Sequence, residues 1–186
     1  MRNTFISIFI LLLAVSCNTK SKYRKAADEI AANVPSAKNM NAGKENYHLY
    51  VPNGWTTTQR TVYGVDYYFL SAPKTQDDPN TNINVTTEHM QSLSLAEYRE
   101  KSIESIQKAI PSAELLSRGD ISAGDLKGAW YSCYLEPQGI KSKLVCYIFP
   151  KNGIAYIITA GTQAKDAARY SSLFDSVAKS MTFVNQ

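Results

Sequence analysis

The sequence predicts an α+β fold, an α/β/α sandwich in which helices cover both faces of a mostly antiparallel β-sheet. Three observations carry this expectation. Strand-like runs are grouped around one internal helix and joined by hairpin signals rather than by alternating crossovers. Residues Lys143 to Phe149 are apolar on both faces, with Leu144, Cys146 and Ile148 facing one way and Val145, Tyr147 and Phe149 the other, which a sheet covered on one side only would not allow. Finally, the segment near the C-terminus places Tyr170, Leu173, Phe174, Val177, Ala178 and Met181 on one helical stripe, an apolar face made to lie on a sheet.

The elements follow in order. Tyr47 to Val51 is a first short strand, ended by the turn-forming Pro52-Asn53-Gly54 and by Trp55, an aromatic placed to pack under the corner it follows. A second strand is expected over Arg60 to Leu70. A third reads Asn-Ile-Asn-Val-Thr-Thr-Glu, with Ile83, Val85 and Thr87 alternating with Asn82, Asn84, Thr86 and Glu88. The loop between them contains Asp77-Asp78 in a Pro- and Asn-rich setting and reads as a solvated turn. Ser94 with Glu97 three residues on forms a capping box that starts a helix carrying Leu95, Ile103, Ile106 and Ile110, and Pro111 stops it. A weaker strand near Glu114 to Ser117 precedes three stronger ones, Gly128 to Glu136, Lys143 to Phe149 and Ile154 to Ala160. Asn152-Gly153 is a two-residue hairpin signal, and there are no internal repeats.

Ahead of this domain, Arg2 and the apolar run Phe5 to Val15 have the grammar of an export signal, and the run is shorter than the roughly 20 residues a membrane-spanning helix needs. Ala14-Val15-Ser16-Cys17 then resembles the lipobox of bacterial lipoproteins. That resemblance implies cleavage after Ser16 and lipidation of Cys17; an ordinary signal peptide with an incidental cysteine is the alternative. Two or more acyl chains hold a protein stably to a bilayer. The chain thus divides into a lipoprotein signal (1–16), a lipidated N-terminus and tether (17–45) and one domain (46–186). Within the tether, Tyr23, Ala27, Ile30 and Val34 form a short helical stripe that either docks or belongs to a mobile spacer.

Charge is distributed to match. Residues 18–45 hold six bases and three acids, whereas residues 46–186 hold thirteen of each sign. The basic excess therefore lies beside the expected anchor, where bases attract anionic lipid, and the neutral domain lacks the basic patch that nucleic-acid binding requires.

The order Tyr-His-Leu-Tyr-Val-Pro-Asn-Gly-Trp (47–55), the third strand followed by Ser-Leu-Ala-Glu-Tyr (94–98), the strand block with Gly-Ala-Trp-Tyr-Ser-Cys-Tyr (128–134), and the ending Asp-Ser-Val-Ala-Lys-Ser-Met-Thr-Phe (175–183) resemble the PsbP-like and DcrB-like families. The resemblance covers residues 46–183. It implies an α/β/α sandwich with an antiparallel sheet, and a relationship to extrinsic proteins that dock on membrane complexes and to envelope lipoproteins. Its elements concern packing and capping, so it implies a fold more than a chemistry.

The search for chemistry excludes several classes. His48 and His89 have no ligand-like partner at i+2 or i+4, Asp77-Asp78 lacks calcium-loop spacing, and Gly119, Gly124 and Gly128 are dispersed as turn residues rather than gathered in a phosphate loop. Cys133 and Cys146 have no CxxC spacing. No metal or cofactor is expected. The strand aromatics Tyr67, Tyr68, Phe69, Trp130, Tyr131, Tyr134, Tyr147, Phe149 and Tyr156 are core or sheet-cover residues, with some subset free to line a ligand groove; the ligand-binding residues stay unknown at this level.

In an exported protein Cys133 and Cys146 are an even pair. If Gly139-Ile140 is a two-residue type II′ loop, Gln138 pairs with Lys141 and Pro137 with Ser142, which sets Cys133 opposite Cys146 in a non-hydrogen-bonded pair suited to a disulfide. Two buried free thiols are the alternative. The sequence therefore predicts a non-enzymatic, membrane-tethered accessory lipoprotein of the bacterial envelope that binds or stabilises a protein partner. Its rivals are a binding module for a glycan or lipid fragment and, third, a hydrolase or redox enzyme. By resemblance to the sorting rules of well-studied envelopes, Asn18 after the cysteine favours the outer membrane; the expected side is the periplasm, which Asn18 itself does not decide.

Overall fold

The structure, a computed structural model, describes residues 47–184 except 63, 64 and 79. Cys17, the signal and the tether stripe lie outside the described residues. Among the described residues nine strands and two α-helices run in the order β1 (Tyr47–His48), β2 (Thr56–Val62), β3 (Val65–Ser71), β4 (Asn82–His89), α1 (Leu95–Ala109), β5 (Glu114–Ala123), β6 (Leu126–Leu135), β7 (Ser142–Lys151), β8 (Ile154–Gln163), α2 (Ala167–Lys179) and β9 (Thr182–Phe183). Seven strands form one antiparallel sheet in the order β2-β3-β4-β8-β7-β6-β5, and β1 pairs with β9 in a separate ribbon. Helix α1 covers one face of the sheet; α2 and the ribbon cover the other. The α+β sandwich expected from the sequence is the observed architecture.

Local chemistry explains the boundaries. Ser94 and Glu97 complete the capping box, with the Ser94 amide donating to Glu97 Oε2 at 2.9 Å and the Glu97 amide donating to Ser94 Oγ at 3.3 Å. Asn152 and Gly153 both take positive φ (52° and 77°), the conformation of a type I′ hairpin, so β7 and β8 pair from Lys151/Ile154 outward. Trp55 packs edge-on against Tyr170 at 6.3 Å between ring centroids, under the corner closed by its amide on Pro52.

Elsewhere the structure differs from the sequence reading. The run expected as one strand over Arg60 to Leu70 is a hairpin, since Val62 pairs with Val65 and only Tyr63 and Gly64 join β2 to β3. Strand β5 extends to Ala123 and turns to β6 through Gly124-Asp125, so Gly119 and Gly128 are strand residues rather than turn residues. Both serve close approach. A Cβ on Gly128 would stand 2.7 Å from the Ile148 carbonyl oxygen and 2.7 Å from a Phe149 ring carbon. Overpacking of this kind typically costs about 2 kcal/mol, and we expect denaturant unfolding of Gly128→Ala to show a loss of that order; an unchanged midpoint would mean that β6 and β7 lie farther apart.

The register expected for Cys133 and Cys146 is corrected. Pro137–Gly139 forms a 3₁₀ turn closed by the Ile140 amide on the Pro137 carbonyl (3.0 Å), and Leu135 pairs with Ser142 across a six-residue connection. The physical reason is burial: this longer loop carries Ile140 into the interior at 6% exposure while leaving Leu135 buried at 2%. The slip is two residues, which preserves which face each side chain occupies. Cys133 now opposes Leu144 and Cys146 opposes Tyr131. Diagonal neighbours in a sheet stand roughly 7–8 Å apart, wider than a disulfide accepts. Both cysteines are buried and free. Alkylation of the unfolded, unreduced chain is expected to label both thiols; a mass showing neither labelled until after reduction would restore the bridge.

Candidate functional site

Helix α2 buries Tyr170, Phe174, Val177 and Ala178 against the α2 face, where it packs on β8, β7 and β5. There the sheet and helix enclose a groove of about 510 Å³. Its floor is Trp130, Val145 and Tyr147, alternate residues of β6 and β7 that share the α2 face. Gly119, directly opposite Trp130, is what lets the indole lie over β5: a Cβ at that position would be 3.0 Å from the indole nitrogen.

Polar groups ring this floor. Ser117 and Ser132 meet hydroxyl to hydroxyl at 3.1 Å, and Tyr147 donates to Asp175 Oδ1 at 2.6 Å. Burial, reinforced by that carboxylate, pushes the Tyr147 phenol well up, so it stays a neutral donor. Lys143 from β7 and Lys179 from α2 stand on opposite walls. The groove combines an aromatic surface for an apolar ring face with hydroxyls, one carboxylate and two ammonium groups that fix a polar ligand in place. The sequence nominated Trp130 and Tyr147 among nine strand aromatics without selecting them. Gly119, a glycine inside a strand, was the signal that could have done so.

Other nominated residues do not converge. His48 and His89 are exposed on separate strands, and among the described residues no group of three His, Cys, Asp or Glu side chains could hold a metal ion. Burial pushes the Cys146 thiol up to about 11 and Cys133 higher still, which keeps both as poorly nucleophilic thiols at neutral pH. Asp77 is exposed as expected, but Asp78 is not a solvated turn residue: at 3% exposure it accepts from Thr81 Oγ1 (2.6 Å) and the Thr81 amide (3.2 Å) through Oδ1, and from the Tyr170 hydroxyl (2.6 Å) through Oδ2. The polar side of β4 is buried as well. Asn82, Asn84, Thr86 and Glu88 all lie at 4% exposure or less, and Glu88 accepts a 2.7 Å bond from the Tyr98 hydroxyl of α1.

A second opening, also about 510 Å³, lies where β3 stays with β2 and leaves β4 beyond the Tyr68/Val85 pair. Thr86 Oγ1 at its floor is buried without a partner. Among the described residues its lining holds two charged side chains, Arg60 and Asp66, against four in the groove under α2.

Solved structures share this fold. The solution structure of the cyanobacterial PsbP protein CyanoP, from Synechocystis, superposes with a TM-score of 0.53 at 14% identity, over 77% of this chain and 96% of that one. The chain has the PsbP-like/DcrB-like fold. LpqN of Mycobacterium tuberculosis, a protein involved in cell envelope biogenesis, matches with a TM-score of 0.57 at 10% identity, over 78% of this chain and 88% of its own. PA94, a Pseudomonas aeruginosa protein of unknown function, matches at 0.56 and 15%, over 70% of this chain and 97% of its own. No protein-family model matches the sequence, and neither does any curated protein. At such identities the shared PsbP-like feature is the fold, and the chemistry must be argued from this chain's own groove.

Proposed function

We propose that this chain is a non-enzymatic, lipid-tethered accessory protein of the bacterial envelope whose PsbP-like domain binds a small polar ligand, of the glycan class, in the groove between α2 and β5–β7. The observation that carries the binding reading is the groove itself, with its indole floor and convergent polar rim. A protein-docking face would instead present a broad apolar patch. Among the described residues the exposed large hydrophobics are Tyr50, Leu116 and Val184; Leu116 sits on edge strand β5, whereas the other two flank the ribbon. The anchor rests on the lipobox-like Ala14-Val15-Ser16-Cys17, the envelope location on that anchor and on the likeness in fold to LpqN. Among the described residues no helix is long and apolar enough to cross a membrane, so a lipid on Cys17 would supply the attachment.

Two experiments test the parts separately. Cys17→Ala is expected to abolish incorporation of labelled fatty acid and to release the protein from the membrane fraction; retention after a high-salt wash would refute the anchor. A photo-cross-linking side chain at Ser117, exposed on the groove rim, is expected to capture a small molecule of defined mass in the cell. Capture of one protein at high yield from Ser117 would replace the small-ligand reading with a protein partner.

A further inference from the structure

We infer that the ligand of this groove is a singly charged acidic saccharide, a sugar bearing a carboxylate, with its ring on Trp130 and its carboxylate between Lys143 and Lys179. The inference rests on the groove being a binding site and adds the charge of what it binds. Among the described residues neither Lys143 nor Lys179 makes an ion pair or hydrogen bond. The groove has two carboxylates in its lining, and they are engaged differently. Asp120, with a side chain 92% exposed, turns to Arg99 at 3.4 Å. Asp175, exposed on α2, accepts from the Tyr147 hydroxyl at 2.6 Å.

With Asp120 turned to Arg99, the charges left in the lining are the two ammonium groups of Lys143 and Lys179 and the carboxylate of Asp175, a net of +1. A monoanion neutralises the groove. A phosphate monoester, carrying about −1.5 to −2 at neutral pH, overshoots, and a neutral sugar leaves the net positive charge without a counter-charge. The rest of the lining specifies the body of the ligand. An indole face packs against the C–H face of a pyranose ring, and hydroxyls that can both donate and accept, at Ser117 and Ser132, match sugar hydroxyls. Asp175 keeps a free acceptor oxygen once Tyr147 holds the other. Because Tyr147 and Asp175 hold one another, and Gly119 beds the indole on the sheet, the floor is preorganised and little ordering is required on binding.

The test uses two disaccharides that differ in one carboxylate. The full chain, purified in non-ionic detergent, is titrated with cellobiose, with cellobiouronic acid and with inorganic phosphate, reading the Trp130 indole N–H resonance and the binding heat. Cellobiouronic acid is expected to shift that resonance saturably and to bind at least tenfold more tightly than cellobiose. The Lys143→Gln, Lys179→Gln double variant is expected to remove this tenfold advantage, so that the two disaccharides bind it alike. Equal binding of the two disaccharides to the wild-type protein overturns the acidic assignment while leaving a sugar groove intact. Phosphate binding as tightly as cellobiouronic acid, or no movement of the indole resonance with either sugar, also overturns it, and the Ser117 cross-link then decides independently whether the groove binds anything.

Discussion

Replacing Glu88 with glutamine is expected to raise the unfolding free energy by about 3 kcal/mol at pH 8 and to leave it unchanged near pH 4. Glu88 lies in β4 beneath α1 at 2% exposure. Burial raises its pKa from 4.5 to about 7, and the bond from Tyr98 offsets only part of that shift. The sign follows from the two states. Below about pH 4.5 the carboxyl is protonated both folded and unfolded and costs nothing. Between about 4.5 and 7 the unfolded chain releases the proton while the folded chain keeps it, so stability falls as pH rises. Above pH 7 the full cost is present. Glutamine keeps an oxygen to accept from Tyr98 and has no charge to bury, so the variant's stability should lack this slope. A wild-type protein as stable at pH 8 as at pH 4, or a variant with the same slope, would show that Glu88 is solvated.

The second large effect is expected at Asp78, where alanine should cost about 4 kcal/mol. Hydrogen bonds to a charged group are worth about 1.5–3 kcal/mol each, and removing the acceptor leaves buried donors unpaired. Here the donors are the Thr81 hydroxyl and amide and the Tyr170 hydroxyl. Thr81 also meets Thr162 of β8 at 2.6 Å, so one carboxylate ties the 72–81 loop to both α2 and the sheet. Asp78→Asn, which retains one acceptor oxygen, is expected to lose less. Equilibrium denaturation measures both, and a loss below about 1 kcal/mol for alanine, the scale of a surface change, would mean that water substitutes for the carboxylate.

What the sequence made legible was whatever is encoded locally. Ser94 and Glu97, Asn152-Gly153 and the stripe from Tyr170 to Ala178 each state their structure within a few residues and form as read, while Met181, expected on the same helix, lies just past its end. The two-sided apolar pattern of β7 likewise announced helices on both faces. What escaped depends on distant partners. Thr56 to Thr61 contains no apolar residue and is exposed throughout, so this edge strand left no periodic signal. The β6–β7 register was set by the burial of Ile140 rather than by the best-looking turn residue, Gly139. Asp78 and Glu88 looked like ordinary polar positions, because the hydroxyls that receive them come from α2, α1 and Thr81. Trp130 was one aromatic among nine until Gly119 was found opposite it. The groove lies between α2 and strands β5 to β7, and no stretch of sequence states where a helix crosses a sheet.

The central claim is that the PsbP-like domain holds a small ligand on Trp130. Native mass spectrometry of the full chain, released from its membrane in non-ionic detergent, tests it most directly. The wild-type protein is expected to carry an additional discrete mass of small-molecule size, and Trp130→Ala, with a melting temperature within a few degrees of wild type, is expected to have lost it. A wild-type spectrum of the bare lipoprotein, or an additional mass that persists in Trp130→Ala, would contradict the account.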